Sequence, residues 1–182
     1  MNLYLVRHGE AAAKWGEHSD PGLSALGQSQ AVDACRFLLD QLTGGARLYS
    51  SPLARAQETA NPLANALEQK PLIDDRIREI PAPVPLPERQ NWLRGFMDER
   101  WEAQPDSLHQ WRQSALDLML EQTGDAVFFT HFLVINAIVG NVLDHPNTLY
   151  FWPDNGSVTH LRMHNDQLEL VALGRDMKTV VN

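Results

Sequence analysis

Short apolar runs typical of buried strands alternate with segments of helical periodicity along the chain, and this alternation restricts the fold more than any other feature. The runs at residues 2–6, 46–50 and 126–130 each precede a helical segment. Such alternation favours a parallel sheet, because each helix crosses over one face of the sheet to reach the next strand. The sequence therefore predicts a three-layer α/β/α fold with a mostly parallel central sheet.

The helical segments have recognisable boundaries. Ser24 is the predicted N-cap of a helix that ends before Gly44-Gly45. In Ser51-Pro52, the serine is the predicted cap of the next helix and the proline its first residue. Three further helices are predicted at residues 88–102, 107–122 and 132–142, and a hairpin at 157–163 and 167–173.

The balance of charge excludes two classes of partner. The chain has 15 Lys and Arg residues against 23 Asp and Glu residues, a formal net charge of −8. A nucleic acid or an anionic membrane is bound by a field of the opposite sign, so neither is expected as a partner. A single small anion held in a locally positive cleft is compatible with this charge.

Targeting and membrane signals are missing from the sequence. Arg7 and His8 interrupt the first apolar run, unlike in a signal peptide, and no apolar stretch approaches the roughly 20 residues that span a membrane. We therefore expect a soluble, cytoplasmic protein. The single cysteine, Cys35, lies at helical spacing from apolar neighbours and is predicted to be buried rather than catalytic.

Polar residues follow each of the three predicted strands. Arg7-His8 ends the first strand, Ser51 and then Arg55 follow the second, and His131 follows the third. Because ligands of a parallel sheet bind beyond the carboxyl ends of its strands, Arg7, His8, Arg55 and His131 are predicted to converge on one cleft. Taken singly, each has a simpler interpretation, such as a hydrogen-bonded polar residue at a strand end.

The predicted cluster suits phosphoryl transfer. Arg7 and Arg55 present planar guanidinium groups that match phosphate oxygens, and a neutral imidazole such as His8 is a good nucleophile. Gly9 would let backbone approach the phosphate closely. A leaving alkoxide needs a proton, and Glu79, between apolar neighbours that would raise its pKa, is the candidate acid among many carboxylates.

Arg7-His8-Gly9-Glu10 after an N-terminal strand resembles the signature of the histidine phosphatase superfamily, which includes cofactor-dependent phosphoglycerate mutases and many small phosphatases. The resemblance covers nearly the whole chain. Residues 20–31 resemble the family segment D-x-x-L-[ST]-x-x-G-x-x-Q-A, and residues 51–60 match S-x-x-x-R-A-x-x-T-A. Glu79 and His131 stand where the family has its acid and its second histidine.

The resemblance implies a single α/β domain, residues 1–182, and chemistry without a metal or cofactor. His8 would accept the phosphoryl group, while Arg7, Arg55 and His131 would hold it. Glu79 would protonate the leaving oxygen and then activate water. The substrate would be a phosphorylated small molecule or a phosphoprotein.

The chain departs from the family pattern at several positions. Ala11 and Lys14 replace a hydroxyl residue and an asparagine that touch phosphate in relatives. Lys14 is either a substitute phosphate ligand or a solvated loop residue. Phe132 replaces a glycine after His131 and is expected to wall the pocket. The family pattern after Glu79 is replaced by a proline-rich run, a predicted rigid extended connection.

Residues 81–123 form a predicted helical insertion where relatives place a substrate-covering segment. Its tryptophans either dock the insertion on the core or face the substrate, and docking is the favoured interpretation. Three functions remain open: a phosphatase, which is preferred, a mutase, or a non-catalytic phosphate-recognition module. The remaining histidines show no metal-binding spacing, and the sequence leaves the oligomeric state open.

Overall fold

A computed structural model of the protein describes residues 1–13, 18 and 20–177, and Lys14 lies outside the described residues. Six strands form one sheet in the order β3-β2-β4-β1-β5-β6. They are β1 (Asn2–Arg7), β2 (Arg47–Ser50), β3 (Leu72–Ile73), β4 (Ala126–Thr130), β5 (Val158–His164) and β6 (Gln167–Ala172). The pairs β1–β4, β2–β4 and β2–β3 are parallel, whereas β5 and β6 pair antiparallel as the predicted hairpin.

Helices cover both faces of this sheet. They are α1 (Ala25–Gln41), α2 (Ala54–Ala66), α3 (Arg89–Met97), α4 (Asp106–Leu120) and α5 (Phe132–Val142). Leu3 and Leu5 of β1 pack in a core with α4 and α5, whereas Tyr4 and Val6 pack in a second core with α1 and α2. This alternation follows from the two-residue period of a strand. The predicted three-layer α/β/α fold is confirmed, with a mixed sheet.

Two predicted helix boundaries are wrong. The second helix begins at Ala54 with Leu53 as its N-cap, so Ser51 is not the cap and Pro52 lies outside the helix. The predicted helix at 88–102 ends at Met97. The hydroxyl group of Thr148 donates to the carbonyl oxygens of Phe96 and Glu99, and we attribute the end of the helix to these contacts.

Two smaller features also differ from the sequence prediction. Pro87 lies in a short 3₁₀ helix, Leu86–Glu88, rather than in an extended connection. The two-residue strand β3 has no counterpart in the prediction, since a strand this short leaves no periodicity to detect.

The insertion docks on the rest of the domain through aromatic residues. Trp101 is buried and packs with Phe96 from α3 and with Phe132 and Leu133 from α5. Trp92 and Trp111 are partly buried against the same cluster, as the docking interpretation expects. Cys35 is buried and free, also as predicted. Of the helices that the structure describes, none has the length and apolar character to cross a membrane.

A close contact between two glycines fixes the loop after β1 against the start of α1. A Cβ on Gly9 would overlap the carbonyl group of Gly27, and a Cβ on Gly27 would overlap the carbonyl oxygen of Glu10. The small size of Gly9 is therefore required by packing against α1, which is a different reason from the phosphate contact that the sequence suggested.

We expect Gly27→Ala to lower the free energy of unfolding by about 2 kcal/mol, because its Cβ meets backbone that cannot move aside. Gly95→Ala is the matched control, since Gly95 also lies in a helix but has open space around its missing Cβ. That control should stabilise the protein by roughly 0.5–1 kcal/mol through helix propensity. Urea denaturation of both variants measures the difference, and equal effects would contradict the packing argument.

Candidate active site

Parallel pairing brings the ends of three strands together. The backbone N–H of His8 donates to Thr130 O at 3.0 Å, and that of Ser51 donates to Phe129 O at 2.9 Å. His131 directly follows Thr130, the last residue of β4, which lies between β1 and β2. The residues that follow β1, β2 and β4 therefore meet at one edge of the sheet.

His8 is held in a defined tautomer. Its Nδ1 lies 2.7 Å from the carbonyl oxygen of Gly9, and its Nε2 lies 3.1 Å from Nε of Arg55. A carbonyl only accepts and a guanidinium only donates, so Nδ1 carries the proton and Nε2 keeps its lone pair. Burial and then the charges of Arg55 and Arg7 hold the pKa of His8 well below its usual range. The ring is therefore neutral at neutral pH.

Arg55 lies in the first turn of α2, as the sequence suggested. Its backbone carbonyl accepts from Thr59 Oγ1 at 2.7 Å, and that oxygen accepts from the N–H of Gly9 at 3.0 Å. The helix turn that carries Arg55 is thus tied to the loop that carries His8. Asp20 Oδ1 lies 3.9 Å from Arg55 Nη1, a distance that leaves the guanidinium only weakly paired.

Arg7 is buried, and no salt-bridge partner of its guanidinium group is found in the part of the chain that the structure describes. Its Nη1 donates to Pro153 O at 2.8 Å, and its guanidinium carbon lies 5.1 Å from the centre of the Phe132 ring. Its Nε is buried with no protein partner among the described residues. Burial lowers the pKa of Arg7 to about 10, which leaves it charged at neutral pH. Phe132, expected to wall the pocket, contributes a cation–π contact to Arg7.

His131 lies against His8, with ring centres 5.1 Å apart. Its Nε2 is 2.7 Å from Ser51 Oγ, and its Nδ1 is buried without a partner among the described residues. Burial lowers the pKa of His131 well below its usual range, and the neighbouring His8 and Arg55 act in the same direction. This second imidazole is therefore also neutral.

Glu79 belongs to the same buried cluster. Only 6% of it is exposed, and its Oε1 accepts from the N–H of Ile80 at 3.1 Å. Burial raises its pKa, against the opposing effects of that hydrogen bond and of Arg55, Arg89 and Arg7. The segment before Glu79 is held by Thr130 Oγ1, which donates to Ile77 O at 2.8 Å.

Sequence reasoning did not identify Ser51 and Arg89 as site residues. Ser51 was assigned to a helix cap, whereas its hydroxyl group contacts His131. Arg89 begins α3, and its Nη2 donates to the carbonyl of Ile80 at 3.2 Å. A cation at a helix N-terminus opposes the helix dipole, and this was the available signal. The charge of Arg89 acts on both Glu79 and His131.

Side chains of residues 20–31, the segment that resembles the family pattern, mainly fix the loop after His8 and the start of α2. Ser24 caps α1 by accepting from the N–H of Gly27, and it donates to Glu10 Oε1 at 2.7 Å. Gln30 Oε1 accepts from the N–H of Glu10 at 2.8 Å, and Asp20 Oδ1 accepts from that of Ala54 at 2.9 Å. These contacts fix the loop after His8 and the start of α2.

The cluster as a whole combines two neutral imidazoles, two buried guanidinium groups and one carboxyl group of raised pKa. Such an arrangement can bind a tetrahedral oxyanion and supply both a nitrogen nucleophile and a proton donor. The part of the chain that the structure describes contains no group of three or more His, Cys, Asp or Glu residues positioned to hold a metal ion.

Comparison with known families and sequences gives a consistent result. The model of the histidine phosphatase superfamily (branch 1) matches residues 3–176. A probable phosphoglycerate mutase GpmB of Erwinia tasmaniensis is 26% identical over 167 residues, which cover 80% of this chain and 76% of that protein. A probable GpmB of Yersinia enterocolitica is 32% identical over 110 residues, 54% of this chain and only half of that protein.

Solved structures share the fold over nearly the full chain. A putative alpha-ribazole-5'-P phosphatase from Escherichia coli has a TM-score of 0.77 and 20% identity, covering 99% of this chain and 100% of that one. A phosphoserine phosphatase from Entamoeba histolytica, in complex with 3-phosphoglyceric acid, has a TM-score of 0.75 and 20% identity, with coverages of 97% and 98%.

We expect acid to destabilise the protein through its buried histidines. Below about pH 6.5 the unfolded chain binds protons that His8 and His131 resist in the folded state, so the free energy of unfolding falls as the pH drops. The loss is at most about 1.4 kcal/mol per pH unit for each histidine. Glu79 has the opposite effect, since its raised pKa lets the folded state keep a proton that the unfolded chain loses.

Comparison of wild type with His8→Asn in urea between pH 7.5 and 5 isolates the contribution of His8, because Glu79 is present in both. Wild type should lose more stability than His8→Asn as the pH falls. His109→Asn is the control, since His109 is exposed and lies far along the chain in α4. A difference between wild type and His8→Asn that does not change with pH would contradict the expectation.

Proposed function

Because the chain belongs to the histidine phosphatase superfamily, we propose that it is a phosphatase that hydrolyses a phosphomonoester or a phosphohistidine through a phosphohistidine intermediate on His8. One observation carries this proposal. The Nε2 lone pair of a neutral, buried His8 is held beside Arg55 by the hydrogen bond from Nδ1 to Gly9. An imidazole in this state needs no deprotonation before it attacks phosphorus.

Binding of the substrate frees the lone pair of His8 Nε2 for attack. The Nε–H of Arg55 donates to the lone pair of His8 Nε2 at 3.1 Å. A phosphate oxygen is a stronger acceptor than an imidazole nitrogen, so the guanidinium of Arg55 turns its N–H to the phosphate and releases the lone pair. Arg7 and His131 donate to the other oxygens and offset the charge that develops in the transition state.

The reaction then proceeds in two steps. In the first, His8 Nε2 forms a bond to phosphorus while the ester P–O bond breaks, and protonated Glu79 gives its proton to the leaving oxygen. The Glu79 carboxylate next takes a proton from water, whose oxygen attacks phosphorus and displaces His8. Burial raises the pKa of Glu79, and a shift in this direction supports its role as the acid.

The insertion at residues 81–123 supplies the remaining surface of the cleft in this proposal. Its helix α3 begins at Arg89, whose charge acts on Glu79, Arg55 and His131. A substrate that reaches His8 would therefore pass close to Arg89. Small phosphomonoesters such as phosphoserine and 3-phosphoglycerate, which appear with structurally similar proteins, are reasonable first substrates, beside phosphoproteins.

A mutase is the second candidate, since the two sequence relatives described above are named as probable phosphoglycerate mutases. The same phosphohistidine would then return its phosphoryl group to a sugar acid instead of water. Activation by a bisphosphorylated sugar acid, with transfer that exceeds hydrolysis, would favour this candidate. A cytoplasmic location and activity without a metal or cofactor stay predictions of the sequence and its family resemblance.

We expect wild type to hydrolyse an aryl phosphate in EDTA and to give an acid-labile phosphoenzyme on rapid quenching. His8→Ala should lose both, because no other nitrogen has the position of Nε2. His109→Ala should keep both, since this histidine is exposed on α4. A folded wild type that binds inorganic phosphate but shows neither turnover nor phosphoenzyme would favour a recognition module instead.

Glu79→Gln should separate the two steps. With an alkyl phosphate, which needs a protonated leaving group, kcat should fall by about 10²–10⁴-fold. With an aryl phosphate the phosphoenzyme should still form but accumulate, because no carboxylate remains to activate water. Rapid-quench measurement of the phosphoenzyme tests this, with the exposed Glu169→Gln as control. Equal loss of both steps with both substrates would contradict the assignment of Glu79.

A further inference from the structure

The neutral state of His131 makes the position of its single ring proton important. A neutral imidazole has one N–H and one lone pair, and the two nitrogens have opposite uses toward a phosphate oxygen. An N–H that faces the oxygen attracts it, whereas a lone pair repels it. A group that decides which nitrogen holds the proton therefore decides whether His131 helps or hinders catalysis.

Ser51 is the only polar contact of the His131 ring among the described residues. Its Oγ lies 2.7 Å from His131 Nε2, and both residues are fully buried. The backbone of Ser51 is fixed by its N–H, which donates to Phe129 O at 2.9 Å. The serine thus leaves the end of β2 with its hydroxyl group directed at the histidine that follows β4.

The hydrogen-bond partners of the Ser51 hydroxyl group determine which tautomer His131 adopts. Its oxygen already accepts from the N–H of Leu53 at 3.3 Å. Its own proton has one acceptor within reach in the described part of the chain, which is Nε2 of His131. The hydroxyl group therefore donates to Nε2, and the ring proton must then lie on Nδ1. Nδ1 is the buried atom that lacks a partner.

We propose that Ser51 is a positioning residue that keeps the proton of His131 on Nδ1, so that this N–H donates to an oxygen of the transferred phosphoryl group. The inference rests on the proposed function for the identity of that oxygen, but the tautomer itself does not depend on it. An unpaired buried donor is costly, and a phosphate oxygen bound between Arg7, Arg55 and His8 would satisfy it.

Loss of the hydroxyl group should change the reaction in a specific way. In Ser51→Ala nothing holds the proton on Nδ1, and a share of the molecules would present a lone pair to the phosphoryl oxygen. We expect kcat to fall by about 100-fold, the range seen when one transition-state donor is removed. Ser51→Thr keeps the hydroxyl group and should recover a large part of this loss.

The tautomer can be measured directly by NMR on protein that carries ¹⁵N-labelled histidine. Long-range ¹H–¹⁵N correlation distinguishes a protonated ring nitrogen from an unprotonated one, and His131→Asn identifies the signals of His131 by their absence. Wild type should show a protonated Nδ1 and an unprotonated Nε2, and the Nδ1 proton should shift when inorganic phosphate is added. Ser51→Ala should lose this pattern.

Ser50→Ala is the matched control. Ser50 is the neighbour of Ser51 and equally buried, but its hydroxyl group donates to Ser51 O at 2.9 Å and does not touch the histidine. It should leave the His131 signals unchanged. A protonated Nε2 in wild type, or an unchanged pattern in folded Ser51→Ala, would overturn the proposal. If the expected pattern appears but wild type has no phosphatase activity, the proposed function fails, whereas the control of the His131 tautomer by Ser51 stands.

Discussion

The parallel pairing of β4 with both β1 and β2 is the constraint on which the rest of the structure depends. Because β4 lies between the other two strands, His8, Ser51 and His131 leave the sheet at the same edge. Every strand residue of β4 is buried, so a change of register by one residue would exchange its two core faces. The same apolar packing that stabilises the domain therefore sets the positions of the catalytic candidates.

Bringing these residues together places the charged groups of Arg7 and Arg55 in the protein interior, which carries a desolvation cost. Among the described residues, no carboxylate lies within salt-bridge distance of Arg7, and Arg55 is only weakly paired with Asp20, so two guanidinium groups are buried without a close ion pair. The Phe132 ring and the carbonyl of Pro153 offset part of the desolvation cost of Arg7. A bound phosphate would stabilise both arginines further, because it brings negative charge close to buried guanidinium groups.

The sequence predicts those parts of the molecule that depend on local pattern. All the described strands except β3, most helices and the convergence of Arg7, His8, Arg55 and His131 follow from periodicity and from the rule for parallel sheets. The contact of Ser51 with His131 did not follow, because serine before proline is an ordinary helix-start signal and the two residues are 80 positions apart. The short helix α3 depends in the same way on Thr148, a distant residue that no local pattern connects with it.

The two buried histidines of the candidate site show how neighbours can prepare one type of side chain for two different roles. In our proposal both rings are neutral and both carry the proton on Nδ1. For His8, a carbonyl group accepts a hydrogen bond from that N–H, so Nε2 carries the lone pair, which becomes the nucleophile when Arg55 turns its N–H to the phosphate. For His131, the hydroxyl group of Ser51 donates to the lone pair of Nε2, so the Nδ1–H is available to donate to another acceptor. The difference between nucleophile and donor therefore lies in the chemistry of Gly9 O and Ser51 Oγ, which a search for conserved histidines alone would overlook.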